Sequence, residues 1–131
     1  MATIQLVEVL TQDISFIRGD TFKTKWIGNA TGVDFTGAVV QMEWKTEYDA
    51  AAVLSYASTD PEITITVTTT TTTGDTITIE VEIPAAVTAA LNPTAVETTV
   101  YKYDIETELA AGQVYTFFNG NILVAPDVTN P

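Results

Sequence analysis

Three carboxylates stand at every second position of one stretch, a spacing that could serve ligand chemistry. Asp104, Glu106 and Glu108 alternate with apolar or neutral residues, so a strand would project all three from one face. Carboxylate oxygens are the ligands of hard cations such as calcium. Residues two apart on a strand lie about 6 to 7 Å apart, too far for all three to bind one ion unless a loop folds over them. We therefore expect a solvated acidic face and predict no metal site.

No other group of residues has the composition of a catalytic site. The sequence contains no histidine and no cysteine, so the commonest general base, the commonest metal ligand and the thiolate nucleophile are missing. Ser15, Ser55 and Ser58 lack a Gly-x-Ser-x-Gly motif. Paired carboxylates also serve glycoside hydrolysis, but none here has a distinctive context. We predict no catalytic residue, no cofactor and a protein that is not an enzyme.

Four aromatic residues could form a platform on which sugar rings stack. They are Trp26, Trp44, Tyr115 and Phe117. A large aromatic side chain at strand spacing more often belongs to a core, so we expect Trp26 and Trp44 to be buried. For Tyr115 and Phe117 the sequence leaves core and surface equally open.

The tripeptide Arg18-Gly19-Asp20 matches the sequence that cell-surface integrins recognise. A tight turn would display it well, yet turn chemistry alone also selects a Gly-Asp pair. We therefore predict a turn at this point and not an adhesion site.

The composition describes an acidic protein of one domain's length. Its 131 residues suffice for a single core, and we predict one domain over residues 1–131. Seventeen acidic residues against five basic ones give a formal net charge of −12, which would repel nucleic acid. No run of about 18 consecutive apolar residues occurs, so we predict no membrane partner.

The clearest element is a hairpin near the end of the chain. Over residues 101–109 apolar or neutral side chains alternate with charged ones, which is the period of a half-buried strand. If residues 110–113 form the turn, three pairs face each other: Leu109 and Val114, Ile105 and Phe118, and Tyr101 and Ile122. We predict that this hairpin forms the spine of the core.

The same register turns two aromatic residues outward, because it sets Tyr115 opposite Glu108 and Phe117 opposite Glu106. Aromatic rings rimmed by carboxylates are a common composition for a contact patch, where the carboxylates select a basic partner surface. We predict that Tyr115, Phe117, Glu106 and Glu108 form a protein-interaction site. The alternative is that residues in 84–91 or 49–58 cover the two rings within the same chain.

A second hairpin is predicted where threonines are densest. Residues 63–67 and 76–83 are rich in β-branched residues and lie on either side of six consecutive threonines. A two-residue turn at Gly74-Asp75 would place the apolar side chains of the two arms on opposite faces. A three-residue turn, Thr73 to Asp75, or a bulge within the threonines restores one apolar face. The pairs that this predicts are Val67 with Val81 and Ile65 with Ile83.

The remaining segments complete an all-β protein. Three more extended segments are predicted, at residues 13–17, 21–27 and 38–48. Residues 49–58 could form either two helical turns or a short strand. Pro84 suits the first position of a short helix that ends before Asn92. About seven strands and one short helix indicate an antiparallel, immunoglobulin-like β-sandwich.

The two ends of the sequence lack a clean period. We expect the N-terminal arm, residues 1–10, and the C-terminal tail, residues 125–131, to become ordered mainly by lying on a neighbouring subunit.

Several short motifs are individually weak, but their order along the chain is informative. After an initial strand come Gly19-Asp20-Thr21, Val33-Asp34-Phe35-Thr36-Gly37-Ala38, Gly74-Asp75, the proline-led turn with Leu91, Tyr103-Asp104-Ile105-Glu106, Thr116-Phe117-Phe118-Asn119-Gly120 and Asp127-Val128-Thr129. Across nearly the whole chain this order resembles the small β-sandwich virion proteins of tailed bacteriophages. The resemblance is greatest to the N-terminal domain of baseplate upper proteins and related tail-fibre adaptor modules.

The resemblance implies a structural role in which the domain sits in the particle and holds fibres or receptor-binding proteins. It implies other virion proteins and further copies of the chain as partners, and a location in the virion, assembled in the host cytoplasm. Longer proteins of the family continue into a stem or receptor-binding region, whereas this sequence stops at Pro131. A stand-alone adaptor, a tail component and a capsid decoration protein are therefore the open interpretations. A carbohydrate-binding module is the alternative from another class.

Overall fold

The structure, a computed structural model, describes residues 10–30, 35–70, 74–110 and 112–127. These residues form nine strands and one helix. In chain order the strands are β1 (Leu10–Thr11), β2 (Ile14–Ile17), β3 (Phe22–Ala30), β4 (Val39–Lys45), β5 (Ala52–Ala57), β6 (Ile63–Thr70), β7 (Gly74–Ile83), β8 (Thr99–Glu108) and β9 (Val114–Ala125). The helix α1 (Ala85–Ala89) connects β7 to β8.

The strands divide between two sheets. The larger sheet has the order β1-β9-β8-β4-β5, and β2 also pairs with β9. The smaller sheet has the order β3-β7-β6. β1 and β2 run parallel to β9, whereas all other neighbours are antiparallel. The predicted all-β sandwich with one short helix is thereby confirmed, with nine strands where about seven were predicted and with the parallel pairing of β1 and β2 to β9 as an addition to the antiparallel arrangement.

The core lies between the two sheets and follows the alternation of side chains along the strands. The larger sheet contributes buried residues from β4, β8 and β9, among them Val40, Met42, Trp44, Tyr101, Tyr103, Ile105, Phe118 and Ile122. The smaller sheet contributes Phe22, Trp26, Ile63, Ile77, Ile79, Val81 and Ile83. The prediction that Trp26 and Trp44 are core residues is confirmed.

A chain of polar contacts crosses this core. The indole Nε1 of Trp26, on β3, donates to the hydroxyl of Tyr103 on β8 over 3.4 Å. That hydroxyl donates to the backbone carbonyl of Gln12, between β1 and β2, over 2.8 Å. The two large aromatic residues can therefore be buried without leaving their polar atoms unpaired.

The hairpin of β8 and β9 forms as predicted at one end and differs at the other. Tyr101 pairs with Ile122 and Ile105 with Phe118, as the alternation indicated. The register then shifts, since Glu106 pairs with Thr116 and leaves Phe117 as the additional residue of a β-bulge. The predicted pairings of Leu109 with Val114, Glu108 with Tyr115 and Glu106 with Phe117 are wrong for this reason, since Val114 pairs with Glu108 and Tyr115 with Thr107.

The hairpin of β6 and β7 forms, but its register is displaced from the predicted one. β6 ends at Thr70 and β7 begins at Gly74, so three residues connect them. The apolar side chains share one face, as predicted. Val67 pairs with Ile77 and Ile65 with Ile79, so the predicted pairing of Val67 with Val81 and of Ile65 with Ile83 is wrong. Gly74 and Asp75, which were predicted to lie in the turn, belong to β7, and residues 71–73 lie outside the described residues.

Two connecting segments have a definite secondary structure. Part of 49–58, which the sequence left open between helix and strand, forms the strand β5 and pairs with β4. The predicted short helix forms as α1, but Pro84 is its N-cap with extended backbone angles, so the helix begins one residue later than predicted. Most of the predicted N-terminal arm, residues 1–9, and part of the tail, residues 128–131, lie outside the described residues.

Candidate functional site

The outer face of the larger sheet carries the carboxylates that the sequence singled out. On β8 the side chains of Asp104, Glu106 and Glu108 alternate with buried residues and point away from the core. On β4, Glu43 is directly opposite Asp104. We call these four residues the acidic face. Like charges on directly opposite positions repel each other, so the acidic face costs stability.

The bulge removes the two aromatic residues from this face. Phe117 is only 3% exposed, and its ring centroid lies 5.4 Å from that of Phe35 in an edge-to-face arrangement. Tyr115 is half-buried, and its ring lies 6.0 Å from that of Phe117. The prediction that Phe117 faces outward is therefore wrong, because the additional residue turns its side chain toward the core. The ring that packs on it, Phe35, comes from the loop before β4 and from neither of the segments 84–91 and 49–58.

Two valines take the place of the aromatic residues beside the glutamates. Val39 on β4 and Val114 on β9 both pair with Glu108 on β8, one on each side, and they are 47% and 54% exposed. Glu106 is the next outward residue of β8. We call Val39, Glu106, Glu108 and Val114 the contact patch. The outward position of Val39 could have been predicted from the sequence, because a buried Val40 places its neighbour on the opposite face of the strand. The position of Val114 could not, because it depends on the bulge.

A shallow pocket opens at the other end of the acidic face. Its volume is about 110 Å³, and its lining includes Tyr48, Lys102, Asp104 and Asn119. Tyr48 is 79% exposed, and the Nζ of Lys102 lies 5.3 Å from the centre of its ring. The same Nζ donates to the Oδ1 of Asn121 over 3.2 Å. An exposed ring beside amide and charged groups is a combination that can bind a polar ring-shaped ligand.

Asp104 has an electrostatic environment that is unfavourable to its charge. Partial burial on the sheet raises the pKa of its carboxyl, and the neighbouring carboxylates of Glu106 and Glu43 raise this pKa further. The ammonium group of Lys45 acts in the opposite direction. The charged form of Asp104 is therefore disfavoured in the folded protein.

The described residues contain no group of three or more carboxylates placed to hold a metal ion. Within the same ranges, no helix has the length and apolar character needed to cross a membrane.

The Arg18-Gly19-Asp20 tripeptide forms a turn between β2 and β3, as predicted, and its backbone and arginine are used inside the molecule. Arg18 is only 8% exposed, and its Nη1 donates to the carbonyl oxygens of Asn92 and Ala95 over 3.0 and 3.2 Å. The hydroxyl of the buried Thr88 on α1 accepts from the amide of Gly19 over 3.1 Å and donates to the carbonyl of Asp20 over 2.7 Å. The arginine is thus not displayed for a receptor.

Comparison with known proteins identifies a likeness in fold. No protein-family model and no curated protein matches the sequence. Among solved structures, the chain is similar to a family 123 glycoside hydrolase from Clostridium perfringens that was studied for glycolipid glycan hydrolysis, with a TM-score of 0.50 and 14% identity. The match covers 92% of this chain and 23% of that one, so the chain spans less than a quarter of the hydrolase. At this identity the likeness shows the β-sandwich fold alone.

Proposed function

We propose that this chain is a structural protein of a tailed-bacteriophage particle, in a baseplate, a tail-fibre adaptor or another tail component, and that it acts by protein-protein contact. The proposal is supported by the order of short motifs along nearly the whole sequence, which resembles such adaptor modules. Capsid decoration is the alternative within the same class. In each case the protein would bind other virion proteins and further copies of itself.

The observation that carries the proposal on the structural side is the contact patch. Val39 and Val114 expose apolar surface at the positions next to Glu108, and Glu106 extends the same row. Apolar side chains beside carboxylates are suited to a partner that offers a small apolar surface bordered by lysine or arginine. The raised pKa of the nearby Asp104 favours the same kind of partner, because a basic group would relieve its repulsion.

The role is tested by quantitative mass spectrometry of purified particles of the bacteriophage whose genome encodes the chain. The proposal expects the chain in these particles at a fixed copy number that matches a symmetry of the baseplate, the tail or the capsid. Absence of the chain from intact particles would contradict a virion role.

The contact patch is tested separately by reversing its charge. Glu106→Lys combined with Glu108→Lys should prevent incorporation of the protein into particles while leaving it folded, because a basic partner would then be repelled. Glu47→Lys combined with Glu97→Lys makes the same change in net charge at exposed positions outside the patch and should be incorporated normally. Equal incorporation of both double variants would show that the partner binds elsewhere.

A second candidate function, carbohydrate binding, is favoured by the pocket beside Tyr48. An exposed ring next to Lys102 and Asn119 has the composition of a sugar-stacking site, although it uses none of the aromatic residues predicted for that purpose. Glycan-array binding that is lost in Tyr48→Ala and kept in Val96→Ala, a change at another exposed side chain, would support this function. Absence of binding to any glycan would exclude it.

A further inference from the structure

Strand β6 forms one edge of the smaller sheet. It pairs with β7 on one side only, and no strand among the described residues pairs with its other side. The five residues that connect β5 to β6 place this edge on the β5 side of the sandwich. β1, the first described strand, lies at the opposite end of the larger sheet. As far as the described residues extend, the outer edge of β6 is therefore open to a strand from another molecule.

The hydrogen-bond pattern shows which backbone groups point outward from this edge. The amide of Glu82 donates to the carbonyl of Glu62 over 2.9 Å, so this pair is a hydrogen-bonded pair of the antiparallel ladder. Such pairs alternate with pairs that do not exchange hydrogen bonds. The even-numbered residues of β6 therefore bond to β7, whereas the backbone groups of Ile65, Val67 and Thr69 point away from it. The amide of Ile63 also points outward, where it donates to the carbonyl of Asp60 over 3.3 Å.

The edge lacks the features that usually prevent strands from pairing. Proteins protect open edges with charged residues, proline, bulges or very short strands. β6 is eight residues long, its sequence contains no charged residue and no proline, and its pairing with β7 is continuous. This is unexpected in a chain of net charge −12. An unprotected edge of this length is what strand addition requires.

The inward-facing side chains of β6 are incompletely buried. On β7, the inward-facing Ile77, Ile79 and Val81 are fully buried. Two of their partners on β6, Ile65 and Val67, are only partly buried although they face the same core. A further strand on the outer side of β6 would remove the remaining apolar surface from water.

We propose that two copies of this chain pair through β6, antiparallel and about a twofold axis, to form one continuous six-stranded sheet. In the register that we infer, Ile65 of each copy lies opposite Val67 of the other, and the two Thr66 residues face each other at the axis. This register joins the partly buried apolar side chains on one face. In this register the outward amides and carbonyls of Ile65 in one copy bond to those of Val67 in the other. The β6 edge of one copy is therefore complementary to the same edge of the second copy.

The charges at the ends of β6 agree with a twofold, antiparallel arrangement. Asp60 and Glu62 lie just before the strand. Antiparallel pairing places Glu62 opposite Thr70 of the second copy, so the two Glu62 residues are separated by about eight residues of strand, or about 27 Å. That distance exceeds the screening length of about 8 Å at physiological salt. Parallel pairing would instead place these carboxylates side by side. The pairing does not depend on the phage role proposed above.

The first test compares two lysine substitutions by sedimentation velocity of the purified protein. Thr66→Lys places two lysines directly opposite each other at the axis and should weaken the dimer by about tenfold or more. Thr64→Lys adds the same charge two residues away on the same exposed face, where the two lysines are about 14 Å apart, and should change the dissociation constant little. A monomer at about 100 µM wild-type protein would overturn the proposal, since weak specific dimers assemble below that concentration. Equal effects of the two lysines would overturn the register.

The second test uses proline to remove single backbone donors. The amide of Thr69 points outward, so Thr69→Pro should weaken the dimer by about tenfold or more and leave the monomer stable. The amide of Thr68 bonds to β7, so Thr68→Pro should instead lower the melting temperature of the monomer. Amide exchange supplies a readout without mutation, since Ile65 and Val67 should be protected in the dimer alone. Their protection only after addition of a different virion protein would assign the edge to that protein and overturn the pairing of two copies.

Discussion

Arg18 donates from its guanidinium to the backbone carbonyl of Asn92 over 3.0 Å and so joins the turn between β2 and β3 to the segment after α1. Asn92 has a positive φ of 44°, a conformation that asparagine tolerates better than most residues. Its side-chain amide donates to the hydroxyl of Thr99 over 3.1 Å. A tripeptide that could have suggested cell adhesion thus serves to fix the connection between the two sheets.

Removing this guanidinium should destabilise the fold. Arg18→Met keeps the apolar stem but leaves the carbonyls of Asn92 and Ala95 without their donor, and we expect a loss of about 2 to 4 kcal/mol in the free energy of unfolding. The side chain of Asp20 is exposed, so Asp20→Asn should change this free energy by less than about 0.5 kcal/mol. Urea denaturation of both variants measures the difference. An Arg18→Met variant as stable as the wild-type protein would show that the two hydrogen bonds contribute nothing to stability.

Phe117 should behave as a core residue. We expect Phe117→Ala and Phe35→Ala each to cost about 3 to 5 kcal/mol of stability, because each leaves a cavity against the other ring. The double variant should cost less than the sum, since the two changes remove the same ring contact. Val114→Ala, at an exposed position of the same strand, should be nearly neutral. A Phe117→Ala protein of normal stability that failed to assemble would restore the surface role predicted from the sequence.

Gly120 should not tolerate a side chain. Its φ is +152°, and a Cβ at this position would overlap the carbonyl oxygen of Gln12. We expect Gly120→Ala to cost about 2 to 4 kcal/mol and to expose the amides of β1 and β2 to exchange. Gly112 also has a positive φ, of +95°, but no atom lies within 4 Å of the place that a Cβ would take there, so Gly112→Ala should cost only about 1 to 2 kcal/mol. Similar losses in both variants would rule out the close approach of Gln12 as the cause.

The stability of the protein should depend on the protonation of Asp104. Its pKa is raised in the folded protein by burial, by Glu106 and by Glu43, so the folded state binds a proton more readily than the unfolded state. Stability should therefore fall as the pH rises from the ordinary pKa of an aspartate through the raised one. Asp104→Asn removes this dependence and should raise the melting temperature at neutral pH, with a smaller gain at acidic pH. Glu108→Gln is the charge-matched control on the same face. If Asp104→Asn raised the melting temperature equally at all pH values, deprotonation of Asp104 would not be the cause of the pH dependence.

The sequence was sufficient to predict the fold class and most of the hairpin of β8 and β9. In β8 every second residue is apolar or buried, so alternation alone determined which side faces the core. The segment 49–58 could not be assigned locally, because its apolar residues fit a helix and a strand equally. Its conformation depends on pairing with β4, a contact between residues separated by the intervening turn.

The candidate site was predicted in part. Glu106 and Glu108 lie on the exposed face, as the alternation of β8 required. The position of Phe117 could not be predicted from alternation, because Phe117 and Phe118 are adjacent and both are apolar enough for the core. The bulge lets both face inward, and Phe35, which packs on Phe117, is far away in sequence. Whether the glutamates bind a partner stays a prediction.

The parallel pairing of β1 and β2 with β9 determines how the domain would respond to mechanical force. A pull applied through Leu10 and Ala125 would act along these strands, in opposite directions on the two sides of the ladder. The hydrogen bonds between them would then be loaded in shear and would have to break together, whereas an antiparallel hairpin pulled from its open end separates one bond at a time. The described part of the domain should therefore resist tension applied along β1, β2 and β9 better than tension that peels the β8–β9 hairpin apart.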